Sequence, residues 1–369
     1  MSNSPRWGRR NPLVWKLRAL VAAGMGGWML LAGCATEPAP RAADGASTQS
    51  SRVPPMAVLG VAITVGDIDR SVEFYRDVLN FVEEDRRELK GAELERVTGV
   101  FGAHVIIARM RLGNERIELW QYLAPEGRPM PVPSHANDRW FQHIAIVVSD
   151  MERAYRQVRA HKVRFASTDP QTLPQTLPHA AGISAFYFKD PDGHFLELIN
   201  FPPGKGDPRW QTTGGLFLGI DHTAIAVSST AASLKFYEGV LGMKLAGQGE
   251  NFGTEQEHLN NVEGAHLRIT TMKASSGPGI EFLEYLAPRD GEPAPRDGAA
   301  NDLWHWHAIV QLGGGAQYAR VLGHAGMSMF SSKSALDGPT LVKDPDGHGL
   351  MLVTGESDGA AVEDAPPGR

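Results

Sequence analysis

The chain repeats itself, and this duplication constrains the fold more than any other feature of the sequence. Ser71–Leu79 returns as Ser233–Leu241, and Gly102–His104 returns as Gly264–His266, both 162 residues later. Lys189–His194 returns as Lys343–His348 after only 154 residues, so the second copy has a shorter loop opposite residues 168–182. Two shorter matches lie between these, Leu123–Pro125 with Leu286–Pro288 and Ala136–Asp138 with Ala300–Asp302. Ordered matches of this kind indicate a tandem duplication, so we expect two similar domains.

Each copy itself divides into two similar modules. In the first copy, apolar spacing predicts a strand at Leu59–Val65, a helix at Ile68–Leu79, three strands up to Tyr122, a strand at His143–Val148, a helix at Met151–His161 and closing strands that end at Leu196–Ile199. The Asp-Pro-Asp-Gly tetrapeptides are typical of hairpin turns, and His194 and His348 are interpreted as turn residues. The chain is therefore predicted to hold four βαβββ modules.

Residues at the predicted helix ends agree with this division. Asp67 or Asp69 is the expected N-cap of the first helix, and Ser229 is the expected N-cap of its repeat. Gly242 is the expected C-terminal stop of that second helix. Glu255 and Glu257, close to Thr254, are interpreted as a capping box at the start of a further helix.

The module order, with Phe74-Tyr75 on the first helix and the closing Asp-Pro-Asp-Gly-His hairpins, resembles the vicinal oxygen chelate superfamily. That superfamily includes glyoxalase I, extradiol dioxygenases, methylmalonyl-CoA epimerase and bleomycin resistance proteins. The resemblance covers residues 57–203 and 217–355 and implies an α+β fold, in which the four modules form two tandem open mixed β-barrels. We assign 56–203 to a first glyoxalase-like domain, 204–216 to a linker, 217–357 to a second such domain and 358–369 to a disordered tail. Each domain has the size of an independent folding unit and is expected to fold alone.

The resemblance also implies a divalent metal inside each barrel, with a ligand on the first and last strand of each module. These positions are Gly60, Glu118, His143 and Glu197 in the first domain, and His222, Glu281, His307 and Met351 in the second. Gly60 has no side chain, and the thioether of Met351 is a poor ligand for a hard ion. We therefore expect the metal ligands to be Glu118, His143 and Glu197 in one barrel and His222, Glu281 and His307 in the other. The ion would be Fe, Mn, Ni or Zn, and His305, on the same strand face as His307, is a replacement candidate.

These ligand sets favour an enzyme: a metal-dependent lyase, isomerase or dioxygenase that acts on a small oxygen-chelating molecule. Glu118, Glu197 or Glu281 would then move a proton. Met351 stands where extradiol dioxygenases place their carboxylate, which argues against ring cleavage. The alternative is a non-catalytic small-molecule binding protein of the bleomycin-resistance type, which the losses at two ligand positions favour for at least one copy. One active barrel and one structural barrel is a further arrangement.

Several aromatic residues are predicted to line the barrels, where they would also contact an apolar substrate. They are Trp120, Tyr122, Trp140, Tyr285 and Trp304.

The first 33 residues resemble a bacterial lipoprotein signal peptide. Residues 1–18 are basic, and the apolar stretch Ala19–Gly33 has fifteen residues, whereas a membrane-spanning helix needs about 20. The stretch ends in Leu31-Ala32-Gly33-Cys34, which is similar to a lipobox. The resemblance implies a lipid anchor at Cys34, a flexible tether over 34–55 and a place in the outer membrane facing the periplasm.

The composition excludes two kinds of cysteine site and gives no indication of one class of partner. Cys34 is the only cysteine, so the chain has neither an internal disulfide nor a zinc site built from several cysteines. The net charge of −6 gives no indication of a nucleic-acid partner.

Overall fold

Four βαβββ modules follow one another in the computed structural model, which describes residues 56–211, 214–324, 326–330 and 338–354. The predicted signal peptide, Cys34, the tether and the C-terminal tail lie outside the described residues. Within those described ranges, no helix combines the length and the apolar character that crossing a membrane requires.

The first copy contains modules one and two. Module one consists of β1 (Ala57–Thr64), α1 (Ile68–Leu79), β2 (Val82–Lys90), α2 (Ala92–Thr98), β3 (His104–Leu112) and β4 (Glu115–Ala124). Module two consists of β5 (Gln142–Val148), α3 (Met151–Ala160), β6 (Arg164–Phe165), β7 (Gln171–Thr172), β8 (Ser184–Lys189) and β9 (Phe195–Asn200). The predicted helices α1 and α3 are confirmed, and Asp67 caps α1 by accepting a hydrogen bond from the backbone N of Arg70 at 3.1 Å. Helix α2 was not predicted, since seven residues are too few to show an apolar period.

The second copy contains modules three and four. Module three consists of β10 (Phe217–Ala226), α4 (Thr230–Leu234) with a π-helical continuation (Lys235–Leu241), β11 (Lys244–Phe252), α5 (Thr254–Asn260), β12 (His266–Lys273) and β13 (Gly279–Ala287). Module four consists of β14 (Trp306–Leu312), α6 (Gly315–Leu322), β15 (Ser328–Met329), β16 (Thr340–Lys343) and β17 (Gly349–Thr354). Ser229 caps α4, and Gly242 ends the π-helical segment with a φ of 90°, as predicted. The capping box at Thr254 is wrong, because α5 starts at Thr254 itself, after Gly253, and no side chain caps it.

The two modules of one copy do not share a sheet. Sheet A has the strand order β15-β16-β17-β14-β1-β4-β3-β2 and joins module four to module one. Sheet B has the order β11-β12-β13-β10-β5-β9-β8-β6 and joins module three to module two. The antiparallel pairs β1–β14 and β5–β10 hold the copies together. Four modules in two open mixed sheets confirm the fold class, but the expectation that each copy forms its own barrel is wrong.

The apolar cores cross between the copies as well. Phe217, Ile220 and Trp306 of the second copy are buried in one cluster with Ile63 and Ile144 of the first. Every residue of the central strand β5 is buried, as expected for a strand covered on both faces. All described residues belong to one compact unit.

The Asp-Pro-Asp-Gly-His hairpins connect the two copies further. His194 lies in its turn, as predicted, but it is also buried, and its Nδ1 lies 2.8 Å from Oδ2 of Asp190. Its Nε2 lies 2.5 Å from the carbonyl oxygen of Leu303 in the second copy. His348 is buried in the equivalent turn, with Nδ1 3.0 Å from Oδ2 of Asp344. His194 therefore connects the two copies in addition to forming its turn.

Candidate metal centre

Four of the six predicted metal ligands meet on sheet B. They stand on four neighbouring strands: Glu281 on β13, His222 on β10, His143 on β5 and Glu197 on β9. Oε2 of Glu197 lies 3.1 Å from Nε2 of His143 and 3.5 Å from Nε2 of His222. Oε2 of Glu281 lies 3.3 Å from the same His222 nitrogen. Each copy supplies one histidine and one glutamate, so the cluster exists only where the copies join.

Three of the four histidine nitrogens in this cluster are buried without hydrogen-bond partners. Both ring nitrogens of His143 and the Nε2 of His222 lack a partner, because their short distances to the carboxylates do not have hydrogen-bond geometry. Buried polar atoms nearly always find a partner, so the two Nε2 atoms beside the carboxylates of Glu197 and Glu281 fit a bound cation. One ligand atom each from His143, Glu197 and His222 lie within 4.8 Å of one another.

Asp221 orients His222. Its Oδ2 lies 3.0 Å from Nδ1 of His222, and its Oδ1 accepts a hydrogen bond from Nε1 of Trp210 at 2.8 Å. A carboxylate that holds one imidazole nitrogen leaves the other free to bind a metal, and such supporting partners are common around metal sites. Trp210 lies in the predicted linker, where it is buried, so this segment supports the site.

The electrostatics of the cluster favour a cation. Burial alone would raise the pKa of Glu197, but the imidazoles of His143 and His222 outweigh it and hold this pKa at about 2. Burial likewise opposes ionisation of Asp221, yet His222 and Trp210 hold its pKa at about 2. Burial would lower the pKa of His222, whereas Glu281, Asp221 and Glu197 together raise it well above its usual value. The carboxylates of Glu197 and Asp221 are therefore ionised at neutral pH.

A cavity of about 570 Å³ opens beside Glu197, His222 and Glu281. Most of its wall is apolar, including Leu173, Ile183, Ile199, Leu267, Ile269 and Leu283. Part of it comes from the 173–183 loop, which lies in the segment without a full counterpart in the second copy. The Nζ of Lys205 donates hydrogen bonds to the carbonyl oxygens of Pro178 at 2.8 Å and His179 at 3.0 Å, which fixes this loop.

Two polar side chains in this cavity face the candidate site. Thr271 donates its hydroxyl hydrogen to Oε1 of Glu281 at 2.8 Å, which orients that carboxylate. Gln256 is buried and lines the cavity, and its Oε1 has no hydrogen-bond partner.

The other two predicted ligands, Glu118 and His307, lie on sheet A, where they flank Ala62 of β1. Grouping the ligands by copy was therefore wrong, because the modules pair across the copies. Oε1 of Glu118 accepts a hydrogen bond from Arg87 at 3.0 Å, and Nη2 of Arg109 is 3.5 Å away. Two guanidinium groups thus balance the charge of this buried carboxylate without a metal ion.

Trp120 occupies the space between Glu118 and His307. Its Nε1 donates to Oε2 of Glu118 at 2.9 Å, and its ring packs edge-on against His307 at 5.4 Å between centroids. Nε2 of His305 lies 3.1 Å from Nδ1 of His307. Burial lowers the pKa of His307 well below its usual value, and burial together with Lys343 lowers that of His305 to about 3. Both imidazoles are neutral at physiological pH.

The two missing ligand positions also lie on sheet A. A Cβ atom at Gly60 would collide with the carbonyl oxygen of Arg116, so this position excludes any side chain. Met351 is buried in an apolar cluster with Ala62 and Trp120. Within the part of the chain that the structure describes, only sheet B gathers three or more potential metal ligands.

The duplication shows how the candidate metal centre on sheet B differs from the equivalent region of sheet A. In repeat order, sheet A has Gly60, Arg87, Arg109, Trp120 and Met351 where sheet B has His222, Gly249, Thr271, Leu283 and Glu197. Sequence reasoning missed Arg87, Arg109 and the supporting residue Asp221. The arginines stand opposite uncharged residues in the repeat, and this was the signal that could have revealed them.

Comparison with known proteins places this architecture in a family. A family model described as the Glyoxalase/Bleomycin resistance protein/Dioxygenase superfamily matches residues 58–198 and 219–352. A 2-epi-5-epi-valiolone epimerase from an Actinomyces species is 35% identical over 153 residues, which cover 40% of this chain and 81% of that protein. Glyoxalase I from Saccharomyces cerevisiae is 25% identical over 221 residues, which cover 53% of this chain and 60% of the yeast protein.

Solved structures agree on the fold. The crystal structure of glyoxalase I from Zea mays matches with a TM-score of 0.52 at 16% identity, and covers 81% of this chain and 92% of the maize chain. The two matches of the family model together span most of the described residues, one in each copy. The chain therefore belongs to the glyoxalase/bleomycin resistance protein/dioxygenase superfamily.

Proposed function

We propose that the chain is a divalent-metal-dependent enzyme that moves a proton beside a carbonyl group, as an isomerase, an epimerase or a glyoxalase-like lyase. The observation that carries this proposal is the cluster of His143, Glu197, His222 and Glu281, in which the buried Nε2 atoms of both histidines have no hydrogen-bond partner. These four residues would hold the metal, and Fe, Mn, Ni and Zn all accept imidazole and carboxylate ligands. When bound, such an ion polarises carbonyl and hydroxyl oxygens and makes the adjacent C–H more acidic.

We assign the proton transfer to Glu281 rather than to Glu197. The imidazoles on both sides hold the pKa of Glu197 at about 2, which makes it a weak base. Glu281 is more open to the cavity, with 17% of its side chain exposed against 6% for Glu197. Thr271 orients the Glu281 carboxylate, which can take a proton from one carbon and return it to the same or a neighbouring carbon.

The cavity favours a small uncharged hydroxycarbonyl compound as substrate. Its described lining residues include no arginine and one lysine, Lys205, whereas three carboxylates line the same cavity, those of Glu197, Asp221 and Glu281. A glutathione adduct carries carboxylates that such a wall would leave unpaired, at an energetic cost. The epimerase relative, whose name describes a valiolone, is consistent with this class.

We further propose that the two sheets divide the work. Sheet B would carry the chemistry, whereas the ion pair of Glu118 with Arg87 and Arg109 makes the equivalent part of sheet A structural. On this account Glu118 and His307 bind no metal.

Proton exchange tests the proposed reaction directly. The soluble form without Cys34, loaded with each of the four metals in turn, is incubated in D₂O with a panel of cyclic and linear hydroxyketones. NMR then measures loss of the proton next to the carbonyl. We expect metal-dependent exchange that falls about 10²–10⁴-fold in Glu281→Gln, since this is the usual contribution of a general base. The matched control is Glu118→Gln, the same repeat position on sheet A, which should keep the exchange. Metal binding without exchange for any ketone would favour the non-catalytic binding protein instead.

We also propose that the mature chain is anchored to the outer membrane through lipid on Cys34. The support is the sequence Leu31-Ala32-Gly33-Cys34 after a short apolar stretch, with this cysteine as the only one in the chain. A clickable fatty acid fed to expressing bacteria should label the wild type and leave Cys34→Ala unlabelled. Equal labelling of the variant would refute the anchor.

A further inference from the structure

A second cavity, of about 560 Å³, lies apart from the metal centre and shares no lining residue with it. One wall is formed by α4 and its π-helical continuation. The others are the 294–299 loop, the Trp304–Trp306 segment and the 344–349 hairpin. The proposed reaction uses no part of this cavity.

Four cationic side chains belong to its walls: Arg139, Lys235, Arg296 and Lys343. Among the residues that the structure describes, none of the four forms an ion pair. The Nζ of Lys343 donates to the carbonyl oxygen of Gly298 at 3.2 Å and lies 4.3 Å from the centre of the Phe330 ring. Positive charge in a concave site without matching carboxylates favours an anionic ligand.

The acidic residues of the same walls are already engaged. The Asp344 carboxylate is buried, accepts a hydrogen bond from the Tyr237 hydroxyl at 3.2 Å and lies 3.0 Å from Nδ1 of His348. Asp346 accepts a hydrogen bond from the backbone N of Ser228 at 3.0 Å. The described walls thus hold four cations against two carboxylates, those of Asp344 and Asp346.

Aromatic rings form another part of the surface. Trp140, Trp304 and Phe330 line the cavity. The Cζ atom of Arg128 also lies over the Trp304 ring, 4.7 Å from its centre. Aromatic faces with nearby cations suit a flat, partly apolar molecule that carries a negative group.

The first copy has a larger, paired side chain at the equivalent place. There Arg70 forms an ion pair with Asp192, whereas its repeat counterpart is Ala232, which lines the cavity. The helix is also regular in the first copy, but π-helical over Lys235–Leu241 in the second. π-Helical segments occur frequently at functional sites.

The cationic residues of the cavity also differ between the two copies. The repeat counterparts of Lys235 and Arg139 are Glu73 and Leu303, and Arg296 falls opposite uncharged Val132 or Pro133. The fold therefore does not require these cations. We propose that this cavity binds an organic anion with a flat aromatic or ring-shaped body, at a site separate from the metal centre.

Binding of 2-naphthalenesulfonate, measured by isothermal titration calorimetry on the Cys34-truncated chain, tests the proposal. We expect one saturable site, and about ten-fold weaker binding in Lys343→Met and in Arg296→Gln, since each removes one charged contact. The neutral analogue 2-naphthalenesulfonamide should also bind at least about ten-fold more weakly. Arg296 lies on an exposed loop, so its variant keeps the test decisive if Lys343→Met fails to fold.

The matched control is Lys189→Met. Lys189 is the repeat counterpart of Lys343 and has the same kind of environment, with Nζ 4.2 Å from the centre of the Phe195 ring, but it lies outside this cavity. Its variant, and Glu197→Gln in the metal centre, should bind the sulfonate as the wild type does. Absence of saturable binding, equal binding of the neutral analogue, or loss of binding in either control would overturn the proposal.

Discussion

Separating the two copies should abolish folding of each, because the sheets and cores form between them. Expressed alone, residues 56–203 lose one of the two neighbouring strands of β1 and of β5, and residues 216–357 lose one of the two neighbouring strands of β14 and of β10. The lost ladders comprise six register pairs in β1–β14 and seven in β5–β10.

The cost can be worked out from the core of the first copy. Leu216, Phe217, Ile220 and Trp306 of the second copy are buried in that cluster. Burial of an apolar side chain contributes roughly 1.5–3 kcal/mol, so the loss amounts to roughly 6–12 kcal/mol. This is comparable to the whole stability of a typical domain, about 5–15 kcal/mol, and neither half is expected to fold as a monomer.

The assay combines light scattering after gel filtration with thermal melting followed by circular dichroism. Each half alone should be unfolded, aggregated or self-associated, whereas mixing should yield a 1:1 complex that melts cooperatively. Metal should bind only to this complex, since each half holds just two of the four ligands. As a control, the full chain cut at a protease site inserted after Gly204 should stay assembled. A half that is monomeric and melts cooperatively would refute the reasoning.

Three further substitutions probe sheet A and the hairpins. Met351→Glu buries a carboxylate in an apolar cluster opposite Gly60, so we expect a loss of several kcal/mol in urea unfolding that added divalent metal does not recover; recovery by metal would contradict this. Glu118→Gln should cost about 1.5–3 kcal/mol, because Arg87 loses its charged partner, and should leave the metal content unchanged in elemental analysis. Burial alone would lower the pKa of His194, but Asp190 raises it above the unfolded value of 6.5. The interaction of protonated His194 with Asp190 therefore contributes to the free energy of unfolding. This contribution is complete below pH 6.5 and is lost as the pH rises through the folded pKa of His194. The difference in Tm between the wild type and His194→Asn should therefore shrink from about pH 6 to pH 9, and a constant difference would argue against it.

Much of the local structure followed from the sequence. Apolar spacing, Asp67 and Ser229 defined the helices, because these signals act within a few residues of one another. The resemblance to the vicinal oxygen chelate superfamily indicated the positions of His143, Glu197, His222 and Glu281, since members of one fold place equivalent residues at equivalent points.

The pairing of modules did not follow from the sequence. Strands β1, β5, β10 and β14 all have buried apolar faces, so their patterns do not tell one partner from another. The neutralisation of Glu118 was hidden for a related reason. Arg87 and Arg109 lie on strands other than its own, and only the folded sheet brings their guanidinium groups to the carboxylate.

The central claim is a single metal centre built jointly by both copies, and metal content tests it most directly. Elemental analysis of the purified chain without Cys34 should find about one transition-metal ion per molecule, absent from His143→Ala and from His222→Ala. The matched variant His307→Ala, which removes the repeat counterpart of His143, should keep its metal. Two ions per chain, or loss of metal in His307→Ala together with retention in His143→Ala, would contradict the account.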